Sequence, residues 1–184
     1  AADPETGLIA ADALADMLER QGHRTALVLW PGVQYRTGQA FDLKTITDLG
    51  HHYGCTVGFD LAHAVGNLPL QLHDSGADFA AWCSYKYLNA GPGAIAGAFV
   101  HQRHAQNPLP RFNGWWGHQQ DSRFRMGAEF MGTPGAEGWQ LSNPPIFAMA
   151  PLRASLELFH EVGMPALRRK SVELTAYLES LIEQ

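Results

Sequence analysis

Residues 56–63 read TVGFDLAH and residues 79–86 read FAAWCSYK. Each stretch opens with a short apolar run of strand length and then reaches a charged side chain, Asp60 in the first and Lys86 in the second. Segments with helical spacing separate such runs along the chain, and strands that alternate with helices form a mostly parallel sheet. We therefore predict an α/β fold with a mostly parallel sheet flanked by helices.

The hydrophobic pattern predicts the other elements around these two strands. The predicted helices cover residues 8–18, 43–53, 69–75, 146–159 and 167–182, and the predicted strands cover 26–30, 56–59, 79–84 and 95–100. Asp42 is the expected N-cap of the second helix, and Gly163 is expected to separate the last two. The helix over 146–159 carries an apolar stripe that we expect to be buried.

Composition and charge exclude several classes of protein. The chain has 184 residues, of which 46% are hydrophobic and 17% charged, as in ordered globular proteins. Its net charge of -5 gives little basis for binding nucleic acid. The apolar runs are far shorter than the ~20 residues that cross a bilayer, so no membrane partner is expected. Cys55 and Cys83 form no CxxC pair, which favours a reducing, cytoplasmic compartment.

Asp60 and Lys86 are the candidate site residues, because ligands of an open parallel sheet bind beyond the carboxyl ends of its strands. Read singly, Asp60 is a turn carboxylate or helix cap and Lys86 is a strand-end lysine that reaches to water. Together, an amine and a carboxylate on neighbouring strand ends suit pyridoxal phosphate, whose aldehyde needs an amine and whose ring nitrogen needs an acidic partner. His63 could pack near that ring, and Tyr85 could contact its phosphate or donate a proton.

Four motifs, in this order along the chain, resemble the kynureninase family: Phe59–Asn67, Trp82–Asn89, Gly114–His118 and Ser142–Pro145. The resemblance runs from about Thr25 to the end and implies the large domain of a fold type I pyridoxal phosphate enzyme. It also implies hydrolysis of L-kynurenine or its 3-hydroxy form to anthranilate or 3-hydroxyanthranilate and L-alanine, in tryptophan breakdown and NAD biosynthesis. Family members are longer, so we expect residues 1–184 to be the central part of that domain, without the family's N-terminal segment and C-terminal small domain.

The resemblance implies a role for each candidate residue. Lys86 would be the Schiff-base lysine and the acid and base at the substrate α carbon. Asp60 would pair with the pyridinium nitrogen, and His63 would lie in the cofactor site. Tyr85 would bind the cofactor phosphate and relay a proton.

Two further residues, Trp115 and Asn143, are implied to reach the cofactor of the neighbouring subunit in a homodimer with shared sites. The chain departs from the family at Pro31, where we expect a hydroxyl side chain near the cofactor. Proline offers no side-chain donor and no N–H, so that contact is not carried over.

Two alternatives stay open on the sequence. Another enzyme of this fold, such as a cysteine desulfurase or a class V aminotransferase, would share the Asp60 and Lys86 pair, although neither Cys55 nor Cys83 looks like a mobile nucleophile. The chain could also be a non-catalytic module that dimerises without cofactor. The residues His51, His52, Cys55 and His63 are zinc-type ligands, but they lack zinc-site spacing, so no metal site is predicted.

Overall fold

A computed structural model of the chain describes residues 2–10, 12–106 and 109–183; residues 1, 11, 107, 108 and 184 lie outside the described part. The helices are α1 Ala13–Gln21, α2 Leu43–His52, α3 Gln120–Arg123, α4 Ile146–Val162 and α5 Met164–Ile182, and the strands are β1 Leu27–Pro31, β2 Thr56–Asp60, β3 Phe79–Trp82 and β4 Gly97–Val100. The strands form one sheet in the order β1-β2-β3-β4, in which β1, β2 and β3 are parallel and β4 is antiparallel to β3. The predicted mostly parallel α/β sheet is confirmed.

The register of the parallel strands brings their carboxyl ends to one edge of the sheet. Pro31, the last residue of β1, pairs with Asp60, the last residue of β2. Asp60 pairs in turn with Ala81 of β3. The residues that follow these strands therefore lie close together, which is the condition for a shared site.

The hydrophobic core lies between the sheet and helices α1 and α2. Leu18 of α1 is fully buried, and Val57 and Phe59 of β2 are also at 0% exposure. Each such side chain contributes about 1.5–3 kcal/mol to folding. On β1, Val28 is buried in this core and Trp30 packs against it, whereas Leu27 and Leu29 on the other face are 48% and 58% exposed. The core thus covers one face of β1 and leaves the opposite face open.

Helix α2 begins where the sequence predicts it. The Asp42 carboxylate accepts a hydrogen bond from the backbone N–H of Lys44 at 3.2 Å and another from the Thr45 hydroxyl. These bonds, the Thr45 bond foremost, lower the pKa of Asp42 below its ordinary value. The cap fixes the start of the helix that covers β1 and β2.

The first predicted helix starts later than the hydrophobic spacing suggests. The helix expected over 8–18 begins only at Ala13, and residue 11 within it lies outside the described part. Before it, the Asp3 carboxylate accepts from the backbone N–H groups of Glu5 at 3.0 Å and Thr6 at 2.7 Å. That turn lies before the predicted helix. Inside the predicted range, Ile9 forms an antiparallel bridge with Ala2, and the Gln39 side chain binds both its N–H and its carbonyl, so these backbone groups are not available to a helix.

The segment predicted as a short helix over 69–75 is a series of turns instead. The Ser75 hydroxyl donates back to the carbonyl of Leu72 at 2.9 Å. Gly76 follows with a φ of +74°. The bond and the left-handed glycine end the turn before a helix can propagate.

The prediction of a buried stripe on α4 is wrong for this chain. All residues of α4 are described, and none of them is buried; Ile146 is 78% and Phe147 95% exposed. Helix α5, which follows Gly163 as predicted, likewise has no buried residue. The physical reason is that α1 and α2 already cover the core face of the sheet, and α4 packs against α5 rather than against that face. Together the two helices present many exposed apolar side chains.

A buried carboxylate ties the opposite edge of the sheet together. Asp78 directly precedes β3, and its side chain is 8% exposed. Its Oδ2 accepts from the backbone N–H of Val57 at 2.7 Å and lies 2.8 Å from Nε2 of His51, while its Oδ1 lies 2.7 Å from Nε2 of His104 and 3.5 Å from Nε of Arg103. Burial disfavours the charged form, but these donors outweigh it and lower the pKa of Asp78 below its ordinary value.

In the described part of the chain, no helix is both long and apolar enough to cross a membrane.

We predict that Asp78→Ala lowers the free energy of unfolding at neutral pH by about 1–3 kcal/mol, because it leaves buried donors unpaired. The control is Asp74→Ala, whose carboxylate is 77% exposed and lies 3.1 Å from Nδ1 of His73; it should cost less than about 0.5 kcal/mol. Urea unfolding measures both changes.

The loss of unfolding free energy in Asp78→Ala depends on pH, and its direction follows from the pKa of Asp78. Because folding lowers the pKa of Asp78, its carboxylate stabilises the fold above the unfolded pKa of about 3.9. The stabilisation disappears as the pH falls through the folded pKa. The difference in free energy of unfolding between wild type and Asp78→Ala should therefore become smaller in acid. If Asp78→Ala and Asp74→Ala lowered the free energy of unfolding equally at neutral pH, the role assigned to Asp78 would be contradicted.

Candidate active site

An open cleft of about 470 Å³ lies at the carboxyl ends of the parallel strands. Its lining is Pro31, Val33, Gln34, Tyr35, Asp60, Ala62, His63 and Lys86. Small-molecule sites commonly have volumes of about 300–1,000 Å³, so the cleft suits a small cofactor or substrate. It brings together three of the predicted site residues, Asp60, His63 and Lys86. A larger hollow of about 590 Å³ lies along residues 116–140, away from these strand ends.

Asp60 is held at the end of β2 by its backbone and by one carboxylate oxygen. Its carbonyl accepts from the backbone N–H of Gly32 at 2.8 Å, and its Oδ1 accepts from the backbone N–H of Ala62 at 2.9 Å. Among the described residues, Oδ2 has no hydrogen-bond partner, and the side chain is exposed. One oxygen therefore orients the carboxylate, and the other is available to a cationic N–H in the cleft.

Lys86 brings an amine to the same cleft. The residue is half-buried, and its Nζ lies 5.5 Å from the centroid of the Tyr85 ring. No carboxylate of the described residues forms an ion pair with it, whereas Lys44 binds Asp48 at 2.7 Å. The structure thus provides an amine without a competing acidic partner.

The segment that carries Lys86 is fixed from both sides. Ser84 is buried, its hydroxyl donates to the carbonyl of Ile95, and its own carbonyl accepts from the backbone N–H of Ala90 at 3.1 Å. These bonds end β3 at Trp82, two residues earlier than predicted. They turn the chain at the sheet edge, which holds Lys86 over the cleft.

Gly66 closes the other side of this segment. It has a φ of +80°, and a Cβ there would lie 2.9 Å from the carbonyl carbon of Tyr87. Only glycine combines this backbone conformation with so close an approach. The backbone of Gly66, in the turn after Asp60, therefore packs directly against the backbone of the segment that carries Lys86.

His63 forms part of the cleft wall between two tyrosine rings. Its ring centroid lies 6.3 Å from that of Tyr35, with the planes inclined by 34°, and 6.1 Å from that of Tyr87, at 70°. The carbonyl of His63 accepts from Nδ2 of Asn67 at 3.0 Å. Side chain and backbone are thus both restrained at the cleft.

The other three predicted site residues do not line the cleft of a single chain. Tyr85 is 53% exposed. Trp115 is 42% exposed, and its ring meets that of Phe124 edge-on at 5.5 Å. Asn143 is exposed just before α4. Their implied roles stay predictions, and for Trp115 and Asn143 those roles require a second subunit.

Sequence analysis missed Tyr35 as a cleft residue, because residues 33–40 look like a polar loop. The segment is a small hairpin closed by an antiparallel bridge between Val33 and Ala40. Gly38, with a φ of +73°, is the sequence signal that predicts such a turn. Pro31 lies in the cleft beside Asp60, at the position where the resemblance led us to expect a hydroxyl group.

Within the described ranges, no three His, Cys, Asp or Glu side chains form a group that could hold a metal ion.

The aminotransferase class-V family matches residues 4–184 of the sequence. The chain belongs to the aminotransferase class-V family. Within it, the chain is 64% identical over 181 residues to a protein named kynureninase from Xanthomonas euvesicatoria pv. vesicatoria, and 64% identical over 180 residues to another of that name from Xanthomonas campestris pv. campestris. These matches cover 98% of this chain but only 43% and 42% of the relatives.

Solved structures agree with this family membership at the level of the fold. A cysteine desulfurase from Escherichia coli superimposes with a TM-score of 0.74 at 17% identity, over 93% of this chain and 41% of the other. An alanine–glyoxylate aminotransferase from Nostoc sp. superimposes with a TM-score of 0.68 at 23% identity, over 95% of this chain and 44% of the other. The predicted likeness of the fold to the large domain of fold type I pyridoxal phosphate enzymes is confirmed.

We predict that Gly66→Ala lowers the free energy of unfolding by about 1–3 kcal/mol more than Gly54→Ala. Both glycines have positive φ, but nothing lies within 4 Å of a Cβ at Gly54. The difference between the variants isolates the close contact with Tyr87 from the backbone strain. Chemical denaturation measures it, and equal losses would show that the two segments do not pack as described.

Proposed function

We propose that this chain carries the cofactor-binding core of a pyridoxal 5'-phosphate enzyme that hydrolyses L-kynurenine, and its 3-hydroxy form, to anthranilate or 3-hydroxyanthranilate and L-alanine. The observation that carries the proposal is the presence of the Lys86 amine and the Asp60 carboxylate in one cleft at neighbouring strand ends. The relatives named kynureninase, at 64% identity, support the choice of substrate. The reaction would serve tryptophan breakdown and NAD biosynthesis.

The cleft residues fit this cofactor. Among the described residues, the Lys86 amine has no acidic partner, and Oδ2 of Asp60 has no hydrogen-bond partner. The volume of about 470 Å³ accommodates a substituted pyridine ring. When bound, the cofactor supplies an electron sink for negative charge at the substrate α carbon.

Each residue then has a chemical task. Lys86 would hold the cofactor through its Nζ and would move the proton at the substrate α carbon. Asp60 would pair with the ring nitrogen through Oδ2, because Oδ1 is already bound to the backbone N–H of Ala62. His63 would pack near the ring. Tyr85 would bind the phosphate group and relay a proton to the substrate.

We extend the proposal to a homodimer in which Trp115 and Asn143 reach the partner's cofactor. Both side chains are exposed and lie outside the cleft of their own chain. Exposed apolar residues on α4, such as Phe147 at 95%, supply surface that a partner or further family segments would cover. A cytoplasmic location is consistent with two free cysteines, Cys55 and Cys83.

A cysteine desulfurase or an aminotransferase reaction is a weaker proposal for the same cleft. The solved enzymes of those names share 17% and 23% identity with the chain, which is a likeness of fold alone. A desulfurase also needs a mobile nucleophilic cysteine, but Cys55 is buried and Cys83 half-buried. A chain that folds without binding cofactor is the remaining alternative, and the next experiment distinguishes it.

The test is a titration of the purified chain with pyridoxal phosphate, followed by visible absorption, and then addition of L-kynurenine, followed by anthranilate fluorescence. We expect a visible band that saturates, and anthranilate release. Lys86→Ala should abolish both, because it removes the attaching amine. Lys44→Ala should change neither, since Lys44 is an exposed lysine bound to Asp48.

The outcomes separate the alternatives. A band without anthranilate would support cofactor binding and contradict kynurenine hydrolysis by this chain. A band that persists in Lys86→Ala would contradict the assignment of the lysine. No band in the wild-type chain would identify a non-catalytic module.

A further inference from the structure

We propose that Tyr35 is a positioning residue, which holds the ring of His63 in place for the aromatic cofactor and thereby raises the affinity of the cleft. This inference rests on the proposed function. It concerns the small hairpin of residues 33–40, for which the motifs give no role.

The hairpin is closed by backbone hydrogen bonds along its length. The backbone N–H of Gln34 donates to the carbonyl of Gln39 at 2.8 Å, and that of Phe41 donates to the carbonyl of Gly32 at 3.1 Å. Inside the turn, Oε1 of Gln34 accepts from the backbone N–H of Thr37 at 2.9 Å. The turn that carries Tyr35 is therefore restrained by backbone and side-chain hydrogen bonds.

A second attachment fixes the hairpin to the N-terminal segment. The Gln39 side chain binds both backbone groups of Ile9: Oε1 accepts from its N–H at 2.9 Å, and Nε2 donates to its carbonyl at 2.7 Å. At its base, Val33 is 8% exposed and belongs to the hydrophobic core. The hairpin is thus anchored on the core side and on the outer side, so the position of Tyr35 is set by the fold.

Tyr35 itself gains little from burial. Its side chain is 77% exposed, yet it lines the cleft with Asp60 and Lys86. Its ring contact is with His63, at a centroid distance of 6.3 Å, which is within the range of favourable aromatic pairs. An exposed ring on a rigid support, directed at one cleft residue, is suited to orienting that residue rather than to stabilising the core.

The effect follows from the position of His63 between two rings. Tyr87 meets His63 edge-on at 6.1 Å, and Tyr35 covers it from the hairpin side. Without Tyr35, His63 keeps one ring contact and gains freedom to rotate away from the cleft. The cofactor would then have to order this side chain as it binds, which weakens binding by about three- to tenfold.

The experiment compares Tyr35→Leu, Tyr35→Phe and the control Arg36→Ala, which changes the neighbouring hairpin residue outside the cleft lining. Two quantities are measured on each: the dissociation constant of pyridoxal phosphate from the visible band, and the His63 ring signals by NMR without cofactor. Thermal unfolding of each variant checks that the fold is intact.

Tyr35→Leu should shift the His63 signals and weaken cofactor binding about fivefold, equivalent to ~1 kcal/mol. Tyr35→Phe, which keeps the ring, and Arg36→Ala should bind as wild type does. If wild type binds and Tyr35→Leu binds equally well, the role of Tyr35 is overturned while the proposed function stands. If wild type forms no band at all, the proposed function fails, and this inference fails with it.

Discussion

The pairing of Asp60 with Pro31 on one side and Ala81 on the other is the constraint on which the rest of the structure depends. It sets the carboxyl ends of β1, β2 and β3 at one edge, so that residues distant in sequence share a cleft. At the opposite edge, the Asp78 carboxylate accepts from the N–H of Val57 in β2 and so secures the same register from the other end. A slip of one residue would reverse the faces of β2 and move Asp60 away from Lys86.

The chain is organised as a core that leaves much apolar surface for other contacts. The outer face of β1 exposes Leu27 and Leu29, and neither α4 nor α5 buries a residue. Parallel sheets are normally covered on both faces. The chain spans 43% of the length of a kynureninase relative.

Local patterns predicted the parts of the fold that local forces determine. Strands β1 and β2 and helix α2 lie within a residue or two of their predicted bounds, because apolar runs and the Asp42 cap act over short distances. The burial of α4 was predicted wrongly, since it depends on what packs against the helix. Likewise, Asp60 and Lys86 follow strands and could be predicted, whereas Tyr35 and Asp78 acquire their roles from His63 and His51, which lie 28 and 27 residues away.

The most direct test of the central claim, that Lys86 is the cofactor-binding amine, is reductive trapping. The chain is mixed with less than one equivalent of pyridoxal phosphate, reduced with borohydride and mapped by peptide mass spectrometry. The chain has three lysines, and Lys44 and Lys170 are more exposed than Lys86. We expect the label on Lys86 in preference to both exposed lysines. A label spread over the three lysines, or concentrated on Lys44 and Lys170, would contradict it.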